Sequence, residues 1–175
     1  MALQASWRLR VGFCSTSNFV LRQCCRQFSA TKPAPTPNRI YTSVRTPDEL
    51  HTLTLLSASS RRPLITLWTA RYNPNSIAVA PTILELIETE GCGQSEGGVG
   101  YAEVEFDSVI IGDLPLQIQV ATVPTLLAFS RQEPQLDTKV TSLEQLRDKT
   151  FLRKWIETEA RRGGEGGAGG RLWPF

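Results

Sequence analysis

Leu64-Ile65-Thr66-Leu67-Trp68-Thr69 is a near-continuous apolar run, and it constrains the fold more than any other segment. A strand this apolar on both faces must be central in a sheet that is covered on both sides. It is followed by a short polar turn, Ala70-Arg71-Tyr72-Asn73-Pro74-Asn75-Ser76, and then by apolar residues at 77, 80, 83, 84 and 87. That second spacing is helical and predicts a helix from Ile77 to Glu90. Pro81 falls inside it, where a proline kinks a helix. Strand, polar turn and helix in this order are where α/β proteins place binding or catalytic groups.

The flanking segments extend the pattern. Ile40 to Val44 reads as a short strand. Thr46-Pro47-Asp48-Glu49 is a helix start, with Thr46 as N-cap and Glu49 closing a capping box. Leu50, Leu53, Leu55 and Leu56 carry that helix to about Ser59. Residues 91 to 100, GCGQSEGGVG, read as a flexible loop. Tyr101 to Phe106 alternates as a strand, and Val109 to Val120 is mixed and weakly helical. Thr125 to Phe129 and Leu136 to Val140 read as two further strands, close enough for a hairpin. Ser142 opens a last helix whose apolar face is Leu143, Leu146, Phe151, Leu152, Trp155 and Ile156. Residues 163 to 170, GGEGGAGG, are a flexible linker before Arg171-Leu172-Trp173-Pro174-Phe175. The order βαβαβαββα predicts one α/β domain, a mixed sheet with helices on both faces, over residues 40 to 162.

Charge divides the chain. Residues 1 to 47 hold seven Lys/Arg and no acid, whereas residues 48 to 175 hold 12 basic and 17 acidic residues. The overall +2 therefore says nothing about nucleic acid, and the body has no basic patch with interleaved aromatics. Residues 1 to 28 are Arg- and Ser-containing and acid-free, the composition of a mitochondrial transit peptide, with a cleavage-like Arg26-Gln27-Phe28-Ser29-Ala30. Residues 29 to 39 read as a Pro-rich spacer. No run approaches the roughly 20 apolar residues of a membrane span. The expected location is the mitochondrion, in the matrix.

Cys14, Cys24 and Cys25 lie in the expected leader, so Cys92 alone is expected in the mature chain. One thiol forms no internal disulfide, and four cysteine ligands for zinc are lacking. The single histidine, His51, falls on a helix and supports neither a metal site nor a Ser-His-Asp triad. No metal and no cofactor are expected.

This order of elements resembles the thioredoxin family over about residues 40 to 160. The resemblance is carried by Trp68-Thr69-Ala70 before the turn, Pro81 in the next helix, Val104-Glu105-Phe106-Asp107, and Ala121-Thr122-Val123-Pro124-Thr125-Leu126, which matches the family's cis-proline segment. It implies a thioredoxin-like fold with the turn as a degenerate active-site loop: Trp68, Tyr72, Asn73, Pro74, Asn75 and Ser76. Family members hold Trp-Cys-Gly-Pro-Cys there, and the first thiolate attacks a disulfide because a helix N-terminus lowers its pKa. Aligned on Pro74, the cysteine positions are Tyr72 and Asn75; aligned on Pro81, they are Asn73 and Ser76. Neither pair contains sulfur. The family's buried acid matches Thr66, its partner lysine matches Glu103, and a groove glycine matches Thr141.

The resemblance therefore implies a redox-inactive, protein-binding role with no catalytic residue. Val123, Pro124 and Thr141 are its expected peptide groove. The alternative is a monothiol oxidoreductase working through Cys92, a thiol expected to be inert at the C-terminal end of a helix. A glutathione-transferase type of fold fits less well, since the chain is too short for its helical second domain.

Overall fold

The computed structural model describes residues 37 to 164. The leader and most of the spacer, with Cys14, Cys24 and Cys25, and the tail from Glu165 to Phe175 lie outside the described residues.

Thr46 caps the first helix, α1 (Pro47–Ser60), as its sequence predicts. Its hydroxyl accepts from the Glu49 N–H at 3.2 Å, and the Glu49 carboxylate accepts from the N–H of Thr46. Two of the helix's orphan donors are thus satisfied together. The helix ends at Arg61, whose backbone is left-handed (φ 53°).

The sheet has five strands: β1 (Arg39–Ile40), β2 (Leu64–Thr69), β3 (Gly100–Glu105), β4 (Thr125–Ser130) and β5 (Glu133–Pro134). Their order across the sheet is β1-β3-β2-β4-β5. β1 and β2 run parallel to β3, while β4 runs antiparallel to β2 and pairs with β5 in a hairpin. β2 is central, with Thr66 opposite Ala102 on one side and Leu127 on the other.

Strand alternation sorts the core into two layers. Ile65, Leu67, Tyr101, Leu126 and Ala128 face one side. They pack under α2 (Pro74–Leu84), α4 (Leu143–Arg147) and α5 (Lys149–Gly164), through Val79, Ile83, Leu146, Leu152, Trp155 and Ile156. Leu64, Trp68, Ala102, Val104, Leu127 and Phe129 face the other side, under Leu50 of α1 and Ile111, Ile118 and Val120 around α3 (Leu114–Gln117). β2 therefore fills both layers, as its apolar run requires.

Several expectations are corrected. α2 starts at Pro74, three residues before Ile77, and continues from Leu84 through a wider π-type turn at Glu85–Thr89. The Gly-rich segment 91 to 100 is packed: Cys92 and Val99 are buried, and a 3-10 turn forms at Gln94–Glu96. Asn38 pins it, donating to the carbonyls of Ile87 and Cys92 and accepting from the N–H of Val99. Asn38 and Arg39, assigned to the spacer, thus belong to the fold. Leu136 to Val140 is not a strand. A two-residue turn at Arg131-Gln132 closes the hairpin earlier, Leu136–Thr138 is a 3-10 turn, and only Val140 bridges to Leu126. The last helix is two helices, broken at Asp148, whose carboxylate caps α5 by accepting from the Thr150 N–H at 2.8 Å. α5 extends through Gly164, two residues beyond the expected boundary.

Candidate functional site

The turn after β2 is built around Asn73. It is the N-cap of α2, and its side-chain oxygen accepts from the N–H of Asn75 at 3.0 Å. An asparagine here satisfies one of the helix's open donors, and Pro74 at the first helical position lacks a donor that would need one. The other end of the Asn73 amide crosses to the facing loop and donates to the Val123 carbonyl at 2.8 Å. Val123-Pro124 is a cis peptide bond, as the family resemblance implies.

The rest of the turn is held by charge. The Asp107 carboxylate accepts from the Arg71 N–H at 3.1 Å. Glu105 bridges Arg71 and Arg45, each at 2.8 Å. On the far side, Arg147 of α4 donates to the Asn75 side chain at 2.9 Å.

The six loop residues separate in this arrangement. Trp68 is wholly buried on β2 and belongs to the core, and its indole N–H donates to the Thr66 hydroxyl at 3.2 Å. Thr66 in turn donates to the Leu127 carbonyl at 2.9 Å. The position matched to the family's buried acid therefore holds a neutral, satisfied hydroxyl. Tyr72 points to solvent, 71% exposed, and Asn75 is half-buried. Ser76 is completely buried with its hydroxyl unpartnered. Asn73 and Ser76, the pair set by Pro81, occupy the helix cap and the buried third position of α2. Tyr72, from the other pair, lies outside the helix.

Of the expected groove residues, Val123 faces the turn. The Val123 carbonyl accepts from Asn73, one of the two hydrogen bonds a carbonyl oxygen can take. Thr141 is exposed, next to the Val140 bridge. Glu103 accepts from the phenol of Tyr101 at 3.3 Å, and burial, with the Glu103 charge, pushes that phenol's pKa up.

Cys92 is far from this turn. The continuous helical stretch Pro74 to Thr89 separates them, about 24 Å at 1.5 Å per residue. The thiol is buried and free. Burial pushes its pKa up, and the carboxylates of Glu90 and Glu157 add to this, against the opposing pull of Arg153. A raised pKa leaves little thiolate at neutral pH.

Sequence reasoning passed over several exposed apolar side chains. Val109 (96% exposed) and Ile110 follow Asp107, which is bonded to the turn, and Leu116 and Ile77 are exposed on α3 and α2. The signal was Val109-Ile110-Ile111, three apolar residues of which only Ile111 enters the core. Among the described residues no group of acidic, histidine or cysteine side chains is arranged to hold a metal. No described helix is long and apolar enough to cross a membrane.

Solved structures place this architecture. Thioredoxin O1 of Arabidopsis thaliana superposes with a TM-score of 0.54 at 20% identity, over 70% of this chain and 99% of that one. Thioredoxin O2 of the same plant gives 0.52 at 17%, over 69% and 94%. The chain has a thioredoxin fold. A Halobacterium salinarum thioredoxin variant gives 0.52 at 19%, over 71% and 94%. Neither a protein-family model nor a curated protein matches the sequence. Within the thioredoxin fold, the turn at residues 72 to 76 stands at the end of the central strand and carries no sulfur.

Proposed function

We propose that this chain is a redox-inactive thioredoxin-like protein of the mitochondrial matrix that acts by binding another protein. One observation carries the reading: Asn73 holds the helix cap opposite Val123-Pro124, where disulfide exchange needs a thiolate, and its amide is committed to the helix and to the facing carbonyl. An amide neither attacks a disulfide nor resolves one. The neutral Thr66 beneath the turn supplies no proton relay. Exposed Tyr72 in the turn offers an aromatic anchor, a side-chain type enriched at interface hot spots, and exposed Val109 adds apolar contact area. The acid-free leader supports import. The monothiol alternative is disfavoured by the burial and raised pKa of Cys92.

The test captures partners from intact mitochondria with the tagged chain starting at Ser29. Cys92→Ala, a Tyr72→Asp/Val109→Asp double variant and a version ending at Gly164 run in parallel. Retention with Cys92→Ala and loss with the double variant are expected. Loss only on truncation would move the interface to the Leu172-Phe175 tail. Capture solely as reducible adducts of Cys92 would overturn the reading, as would reduction of insulin disulfides by the chain above background.

A further inference from the structure

The end of the sheet remote from the turn carries a second feature. There α1 hands over to β2, and β4 turns into β5. A cleft of about 220 Å³ lies between them, lined by Arg61, Arg62 and Arg131, by Ser57 and Ser130, and by Gly163. Among the described residues no carboxylate lines it. Five other arginines, Arg45, Arg71, Arg153, Arg161 and Arg162, pair with glutamates. Among the described residues none of the three cleft arginines forms an ion pair. This gathering of positive charge stands out in a body that is net acidic.

The backbone takes trouble to place them. Arg61 (φ 53°) and Arg131 (φ 54°) both adopt the left-handed conformation, for which glycine is the low-cost residue. A non-glycine residue there costs on the order of 1 kcal/mol. Arg62 is set by its own N–H donating to the Ser57 carbonyl at 3.1 Å and by the Ser57 hydroxyl donating to its carbonyl. Its guanidinium spends one donor on the Pro37 carbonyl at 3.2 Å. α5 closes the wall at Gly163, where an added Cβ would stand 2.4 Å from the Pro63 ring.

We propose that this cleft binds a phosphate group, as inorganic phosphate or the phosphomonoester of a small molecule or lipid. Guanidinium forks match phosphate oxygens two donors at a time, and the cleft wall supplies three arginines with no acid among its described lining residues. Ser130 also lines the wall, and its residue type carries a neutral donor. Size sets the class: the cleft is smaller than the roughly 300–1,000 Å³ of pockets that enclose drug-sized ligands. It admits a phosphate with a short substituent and not a whole nucleotide.

Calorimetric titration of the full chain with inorganic phosphate and with glycerol 3-phosphate tests this, at ionic strength held constant with sodium chloride. Flotation with phosphatidylcholine vesicles, with and without phosphatidic acid, separates a lipid source from a soluble one. A single saturable site is expected for at least one probe. Arg61→Gln/Arg131→Gln should weaken it by about tenfold or more, with an unchanged circular dichroism spectrum. Arg45→Gln, outside the cleft, should leave it unaltered. No saturable binding to any of the three probes, or equal affinity in the double variant, would overturn the proposal.

Discussion

At the scale of single residues, the turn is held by one amide with two jobs. Asn73→Ala removes both the helix cap and the bond to Val123, so a loss of about 1–3 kcal/mol is expected. Asn73→Asp separates the two, because a carboxylate still caps the helix but cannot donate to the Val123 carbonyl. Its loss should exceed any cap effect, since it sets an anion against that carbonyl. Urea unfolding of the two variants reads the difference, and equal stability of Asn73→Asp and the parent would show that the crossing bond contributes nothing. Cys92 gives a second prediction. Its buried, up-shifted thiol should alkylate with iodoacetamide well over tenfold more slowly than glutathione at pH 8, and at the ordinary rate once unfolded in urea. Fast alkylation of the native chain would reopen the monothiol alternative.

Among the elements, the hairpin between β4 and β5 departs furthest from what its sequence displays. Arg131 and Gln132 both have positive φ, 54° and 72°, the requirement of a tight two-residue turn normally met by Asn-Gly. Gln132→Gly, which leaves Arg131 in its cleft, should stabilise the fold by about 0.5–1 kcal/mol. A thermal melt detects this as a rise in Tm, and a fall would mean that Gln132 makes a contact worth more than its strained backbone costs. The same turn explains why β5 was not legible. No glycine or asparagine announces it, and Leu136 to Val140 imitates strand alternation although Leu136 packs in one core layer and Val140 in the other. The break at Asp148 was hidden similarly, since the apolar positions on either side suit one continuous helix. By contrast, β2 and the Thr46 capping box were legible because each is specified by local chemistry, two-sided burial and a reciprocal cap, whereas the cis Val123-Pro124 bond was expected from the family resemblance alone. The absence of sulfur at the turn was equally plain. The cross-loop bond of Asn73 and the gathering of Arg61, Arg62 and Arg131 were not, because they join residues 50 and 70 positions apart that only the sheet brings together.

For the molecule as a whole, one buried carboxylate sets an unusual pH dependence. Glu159 lies on α5, 1% exposed, with Arg162 at 3.3 Å and Oε1 without a hydrogen bond among the described residues. Burial raises its pKa above the ordinary value, against weaker lowering by Thr138 and Arg162. A raised pKa in the folded state means that the native chain binds this proton more tightly than the unfolded chain does. Stability from this group is therefore highest below the unfolded value of about 4.3 and falls as pH rises through the native pKa. Above the native pKa the ionised carboxylate opposes folding. Exposed Glu49 and Asp148 have lowered pKa values and act in the opposite sense, losing their contribution as pH falls, but solvent screens them. Glu159→Gln keeps the shape of the side chain and removes the charge. Arg162 is not orphaned by the change, because it also reaches the Gln135 side chain at 3.4 Å. The variant should be more stable than the parent at pH 7, by about 1.4 kcal/mol for each unit by which burial has raised the pKa, and the gain should vanish toward pH 4. Urea unfolding at the two pH values measures it. A variant less stable at pH 7 would mean that the Arg162 pair outweighs the cost of burying the charge, and that the helix face relies on this ion pair where burial alone argues against it.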